Sequence, residues 1–143
     1  MVEVDRTMVT ISLKYDGELR CKATHKPSGK TLGTDAPADN HGRGETFSPT
    51  DLVATALISC MMTIIAIQAE QDGYSLKGST ATVNKFMTTV GPRRIGKLDV
   101  KLRLPSAIPP ERRGEFETAA RACPVMRSLN SLIEIPIDFD WTA

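Results

Sequence analysis

From Val9 to Tyr15 every second residue is apolar: Val9, Ile11, Leu13 and Tyr15 alternate with Thr10, Ser12 and Lys14. A period of two predicts a strand with one buried face. Asp16-Gly17 then supplies a turn, and Leu19, Cys21 and Ala23 continue the pattern in a second strand. A third strand is expected after the Pro27-Ser28-Gly29 turn. The stretch from Asp35 to Thr46 is rich in Asp, Asn, Gly and Pro and reads as a loop carrying His41, Arg43 and Glu45. The period then changes. Ser48 is a good N-cap, Pro49 suits the first helical position and Asp51 the first turn, ahead of the apolar run from Leu52 to Ile67. Asp72-Gly73 closes this helix.

Period two returns near Ser79–Thr88 and in Lys97–Leu104, where Leu98, Val100, Leu102 and Leu104 face one way and Lys97, Asp99, Lys101 and Arg103 the other. Gly91-Pro92 turns the chain between them. Pro109-Pro110-Glu111 starts a second helix reaching about Ala122, and Pro124 starts a short third one. Ile133, Ile135, Ile137, Phe139 and Trp141 alternate in a last strand, and Pro136 on its other face predicts an edge position. The order is βββ-α-ββ-αα-β. With no repeat and no linker, the whole chain, 1–143, reads as a single α+β domain sharing one core.

Composition narrows the function. A chain of 143 residues, 41% hydrophobic and 24% charged, is an average globular protein with room for a core. A net charge of +1 gives no reason to expect a nucleic-acid groove or a basic membrane surface. The opening Met-Val-Glu-Val-Asp-Arg lacks the basic start and apolar centre of a signal peptide, so a cytoplasmic location is expected. The Leu52–Ile67 run is shorter than the roughly 18–20 residues of a spanning helix and carries Thr55, Ser59 and Thr63 on one face. We expect a long buried central helix, with no membrane contact. Its apolar surface runs nearly all round, more than one sheet and two short helices cover, so a homodimer is expected to complete the burial. His25 and His41 have no partner at metal spacing, and neither a metal nor a cofactor is expected.

The chemistry rests on cysteines. Three in a chain this long do not make a disulfide scaffold. Cys60 lies mid-helix, beyond the reach of the helix dipole. Burial alone would leave it inert, so a reactive Cys60 needs a cation from another segment. Cys123, directly before Pro124, is placed as the N-cap of the third helix, where free amide donors favour a thiolate. On local grounds Cys123 is the more acidic thiol. Cys21 shares the face of Leu19 and Ala23 and reads as core. Two distant thiols held by helices suit a dithiol redox enzyme if folding unites them; two unrelated buried cysteines would look the same. Arg20 and Arg43 are the candidate cations, and Glu45 and Asp51 the acids that would orient one of them.

Taken together, the loop into Ser48-Pro49-Thr50-Asp51-Leu52, the Ala-containing helix ending in Ser59-Cys60, and Cys123-Pro124-Val125 after a second helix resemble the OsmC/Ohr family of thiol peroxidases. The likeness covers nearly the whole chain and is to the general OsmC-like branch. Ohr-type members carry Asn-Pro-Glu where this chain has Ser48-Pro49-Thr50. The resemblance implies an intertwined homodimer with active sites at the interface. It implies that Cys60 attacks an organic hydroperoxide and that Cys123 then closes a Cys60–Cys123 disulfide, which a dithiol reductant, lipoyl-type among the candidates, would reopen. That ranking reverses the one drawn from local capping. The rival reading is a non-catalytic OsmC-like dimer that binds a small apolar ligand at its interface.

Overall fold

The structure is a computed structural model describing residues 1–143. Strands β1 (Ile11–Gly17), β2 (Arg20–His25) and β3 (Thr31–Asp35) precede a short 3-10 turn (Ala38–Asn40) and the helix α1 (Pro49–Gln71). Strands β4 (Thr80–Met87) and β5 (Ile95–Arg103), helices α2 (Pro110–Arg121) and α3 (Pro124–Ser128), and strand β6 (Ile137–Asp140) follow. The α+β order is the expected one. The strands form two separate three-stranded sheets, β1-β2-β3 and β4-β5-β6. The chain clusters into two compact units, Met1–Leu52 and Val53–Ala143.

In the first unit both strand pairs are antiparallel, with Leu13 opposite Ala23, Tyr15 opposite Cys21, and Ala23 opposite Leu32. Facing residues of neighbouring strands project to the same side. Ile11, Leu13, Tyr15, Cys21, Ala23 and Leu32 therefore make one apolar face. The expectation that this face is buried fails: Ile11, Leu13 and Tyr15 are 65%, 63% and 59% exposed. The only buried residues of the unit are polar, Asp35 and Ser48. Leu19 falls outside β2. Gly17, Glu18 and Leu19 all have positive φ, at 85°, 53° and 62°, so the turn runs longer than Asp16-Gly17. The Leu19 N–H donates to the Tyr15 hydroxyl at 3.2 Å.

The second unit holds every buried apolar residue, from Ala54 to Trp141. Leu98, Val100 and Leu102 of β5, with Leu104 just beyond it, are fully buried, as the alternation predicts. They pack in one cluster with Leu57, Met61 and Ile65 of α1, Phe116 and Ala120 of α2, and Ile108. Trp141 closes one end of the cluster, its indole N–H donating to Glu117 Oε1 at 2.8 Å. Strand β6 is one of the two edge strands of its sheet and runs parallel to β5. It is shorter than the alternation from Ile133 suggests because Pro136 has no N–H to give the ladder. The carbonyls of Glu134 and Pro136 still accept from the N–H groups of Leu98 and Val100, each at 2.9 Å.

Helix α1 starts as predicted. Ser48 Oγ accepts from the Asp51 N–H at 3.1 Å, and Asp51 Oδ2 accepts from the Ser48 N–H at 2.9 Å, a reciprocal cap. Gly73, at φ 86°, takes the left-handed position after the C-terminus. Two expectations change here. The helix has 23 residues and is long and apolar enough, by length and composition, to cross a bilayer. It is also not buried all round. Ala54, Leu57, Met61, Ile65 and Ala69 form one buried stripe, while Ala56, Ser59, Thr63 and Ile67 are exposed. Spacings of three and four residues put each set on its own side.

Candidate functional site

Two groups of the sequence-derived candidates come together, one in each unit. In the second unit these are the thiols. Cys60 flanks the buried stripe of α1 and is half-buried, packed against the core cluster. Cys123 ends the turn after α2 and caps α3: its Sγ accepts from the Met126 N–H at 3.4 Å. Both are free thiols, and Cys60 lies close enough to act on the Cys123 thiol.

This contact corrects the acidity expected of Cys123. Burial pushes its thiol above the ordinary cysteine range. The Met126 N–H pulls it down, and the neighbouring Cys60 pushes it up again. The cap forms as the sequence implied, but Cys123 is fully buried, and one weak N–H···S contact at the start of a five-residue helix does not offset desolvation. The net effect holds the Cys123 thiol above its ordinary range.

In the first unit one expected guanidinium, Arg20, and one expected carboxylate, Glu45, assemble at the start of β2 with Asp35. Arg20 pairs with Asp35 Oδ2 at 3.3 Å and makes a closer contact with Glu45. The Arg20 side chain is about one-third exposed and that of Asp35 fully buried. The Glu45 backbone N–H donates to Asp35 Oδ2 at 3.1 Å. That bond holds the Asp35 carboxyl below its usual range; burial opposes it and Arg20 adds to it. Arg20 Nε is buried without a hydrogen-bond partner. A cavity of about 480 Å³ opens beside Arg20 and Glu45, with Cys21 and Leu32 in its wall. Arg43 lies elsewhere on the loop, in an exposed pair with Glu18 at 3.3 Å. Asp51 closes the start of α1. Of the two acids proposed from sequence to orient an arginine, Glu45 is the one that pairs with Arg20.

Asp35 escaped the sequence reading, which took it as the first residue of a polar loop. The signal was present. A hairpin turning at Pro27–Gly29 aligns Arg20 with Asp35, as the register shows, and places both side chains on the face opposite Cys21.

A sequence model of the OsmC-like protein family matches residues 42–138, which include both Cys60 and Cys123. No curated protein sequence matches the chain. Among solved structures the chain is similar to a protein of Psychrobacter arcticus 273-4 provisionally described as an osmotic stress induced and detoxification response protein. The two are 38% identical over 94% of this chain and 98% of the other, with a TM-score of 0.87. It is also similar in fold to an OsmC-like protein of Mycoplasma pneumoniae, at 14% identity, covering 97% and 100% of the two chains, TM-score 0.80. The organic hydroperoxide resistance protein OhrB of Bacillus subtilis superposes at 14% identity, covering 93% and 98%, TM-score 0.68.

Proposed function

The chain belongs to the OsmC-like protein family, and we propose that it is a thiol peroxidase that reduces organic hydroperoxides through Cys60 and Cys123. The observation that carries this reading is the meeting of half-buried Cys60 with a fully buried Cys123, whose thiol is pushed above its ordinary range by burial and by Cys60. A pair so arranged divides the labour: Cys60 is the nucleophile and Cys123 the resolving thiol. Some relatives of this fold, such as the Bacillus subtilis protein, are named for hydroperoxide resistance.

In the proposed cycle the Cys60 thiolate attacks the distal peroxide oxygen. The S–O bond forms as the O–O bond breaks, the alkoxide leaves and is protonated to the alcohol, and Cys60 becomes a sulfenic acid. Cys123 sulfur then attacks Cys60 sulfur; the S–S bond forms, and hydroxide leaves with the Cys123 proton as water. A dithiol, lipoyl-type among the candidates, reopens the disulfide by exchange and is itself oxidised. Arg20 is the proposed cation, in preference to Arg43, because two carboxylates fix it and its buried Nε–H is left to donate. Its role is to stabilise the negative oxygen that develops as the O–O bond opens.

We place the protein in the cytoplasm as a homodimer, with the apolar face of β1–β3 and the uncovered sides of α1 as its contact surfaces. Polar Ser59 and Thr63 on the exposed side of α1 favour a protein partner over lipid. Stopped-flow consumption of an organic hydroperoxide tests the chemistry. The parent should turn over with excess dithiol, Cys60→Ser should be silent, and Cys123→Ser should give one fast burst that stops at sulfenic acid. A parent that ignores hydroperoxides, or a Cys60→Ser variant that still reacts, removes this reading and leaves the ligand-binding dimer in its place.

A further inference from the structure

A second cavity, of about 490 Å³, lies in the second unit between α3 and the segment leading into β6. Neither cysteine of the proposed cycle lines it. Its volume falls within the range of small-molecule sites. Its walls divide by chemistry: Met126, Leu129, Ile133, Ile135 and Ile137 supply an apolar lining, and Asn130 and Ser131 stand beside them. Two cations complete the wall, Arg121 and Arg127, and no acid does.

Both arginines are held in place while keeping donors to offer. The Arg121 guanidinium lies over the Phe139 ring, 5.3 Å from its centroid, and makes no hydrogen bond. Arg127 donates its Nε–H to the Ala122 carbonyl at 2.9 Å, which fixes the fork and leaves the two terminal nitrogens. A guanidinium with free, planar donors is suited to the two oxygens of a carboxylate. Three isoleucines, a leucine and a methionine offer no polar atom beyond the weak thioether, so the rest of the ligand must be hydrocarbon. Met126 adds a flexible surface that adapts to a chain of variable length.

We propose that this cavity binds a long-chain monocarboxylate, with the carboxylate on Arg121 and Arg127 and the alkyl chain along Leu129, Ile133 and Ile135. The site is separate from the peroxide chemistry and does not depend on it. Its location does give it a consequence: Met126 and Arg127 belong to the short helix that Cys123 caps, so an occupant would brace that helix.

Isothermal titration of the full chain with dodecanoate, below its micelle concentration, tests the assignment by binding alone. One site per chain is expected. Octanoate and decanoate should bind progressively more weakly, by about two- to fourfold per methylene removed. The double variant Arg121→Gln with Arg127→Gln should weaken dodecanoate by at least about tenfold, the loss of charge-assisted hydrogen bonds. It should leave dodecanol unaffected. Ser131→Trp changes an exposed residue of the wall and should block the cavity without touching the core. The proposal is overturned if dodecanol equals dodecanoate in the parent, if dodecyl phosphate binds far tighter than dodecanoate, or if both the arginine and Ser131 variants bind as the parent does. Circular dichroism confirms the fold of each variant before its titration is read.

Discussion

The two units of this chain put the same kinds of residue to opposite use. The second, Val53–Ala143, buries its apolar face against itself: β5, α1 and α2 meet in one cluster around Leu98, Val100, Leu102, Leu57, Met61 and Phe116. The first, Met1–Leu52, turns Ile11, Leu13 and Tyr15 outward and buries Asp35 and Ser48 instead. Regular alternation in the sequence is thus no proof of burial within the chain. A three-stranded sheet with one apolar face needs a second layer, and this unit builds none of its own. What it builds is a polar device, a guanidinium set by two carboxylates. The core-bearing unit supplies the thiols.

The difference is open to direct test, beginning with the largest effect. Phe116→Ala in the second unit should cost about 3–5 kcal/mol, the usual loss for a fully buried ring. Urea denaturation measures it. Leu13→Ala in the first unit should cost the isolated chain no more than about 0.5 kcal/mol, as for an exposed site. Equal losses at the two positions would break the contrast.

Next in size is the effect on assembly. If the open face of β1–β3 meets a second copy, Leu13→Asp should raise the dimer dissociation constant by a factor on the order of 10² or more, since each protomer loses about 1.5–3 kcal/mol of leucine burial. Analytical ultracentrifugation at micromolar concentration would show the parent as a dimer and the variant shifting towards monomer. A monomeric parent would end the dimer proposal.

Arg20→Ala should slow oxidation of Cys60 by organic hydroperoxide by a factor on the order of 10², the scale of losing one electrostatic donor. Arg43→Ala, which breaks only an exposed pair with Glu18, should react within about twofold of the parent. Comparable losses in both variants would remove the preference for Arg20.

The smallest effect concerns alkaline stability. Burial holds the Cys123 thiol above its ordinary range, so the folded protein retains a proton that the unfolded chain gives up near pH ~8.5. Between those two pKa values the unfolded state binds fewer protons, and stability must fall as pH rises. The fall should reach at most about 1.4 kcal/mol per pH unit within that window. Denaturation of the reduced protein from neutral to alkaline pH measures it, and Cys123→Ser should flatten the profile.

Much of this architecture was written in local pattern. Ser48, Pro49 and Asp51 specify where α1 begins, because a cap needs only its own turn. The alternation of Leu98, Val100 and Leu102 specifies the buried face of β5, because a strand's side chains obey period two wherever it lies. Pro124 makes Cys123 a cap for the same local reason. What folding alone decided depends on groups far apart in sequence. The capping argument predicted a lowered Cys123 thiol; its full burial and its contact with Cys60 push it up instead, since desolvation is set by everything that surrounds an atom. Two arginines and two acids were equal candidates in the chain. Register and the closing loop joined Arg20 to Asp35 and Glu45 and left Arg43 with Glu18. The pattern of β1 stated which residues share a face. It could not state whether anything covers that face, because periodicity records a strand's two sides and cover comes from a neighbour.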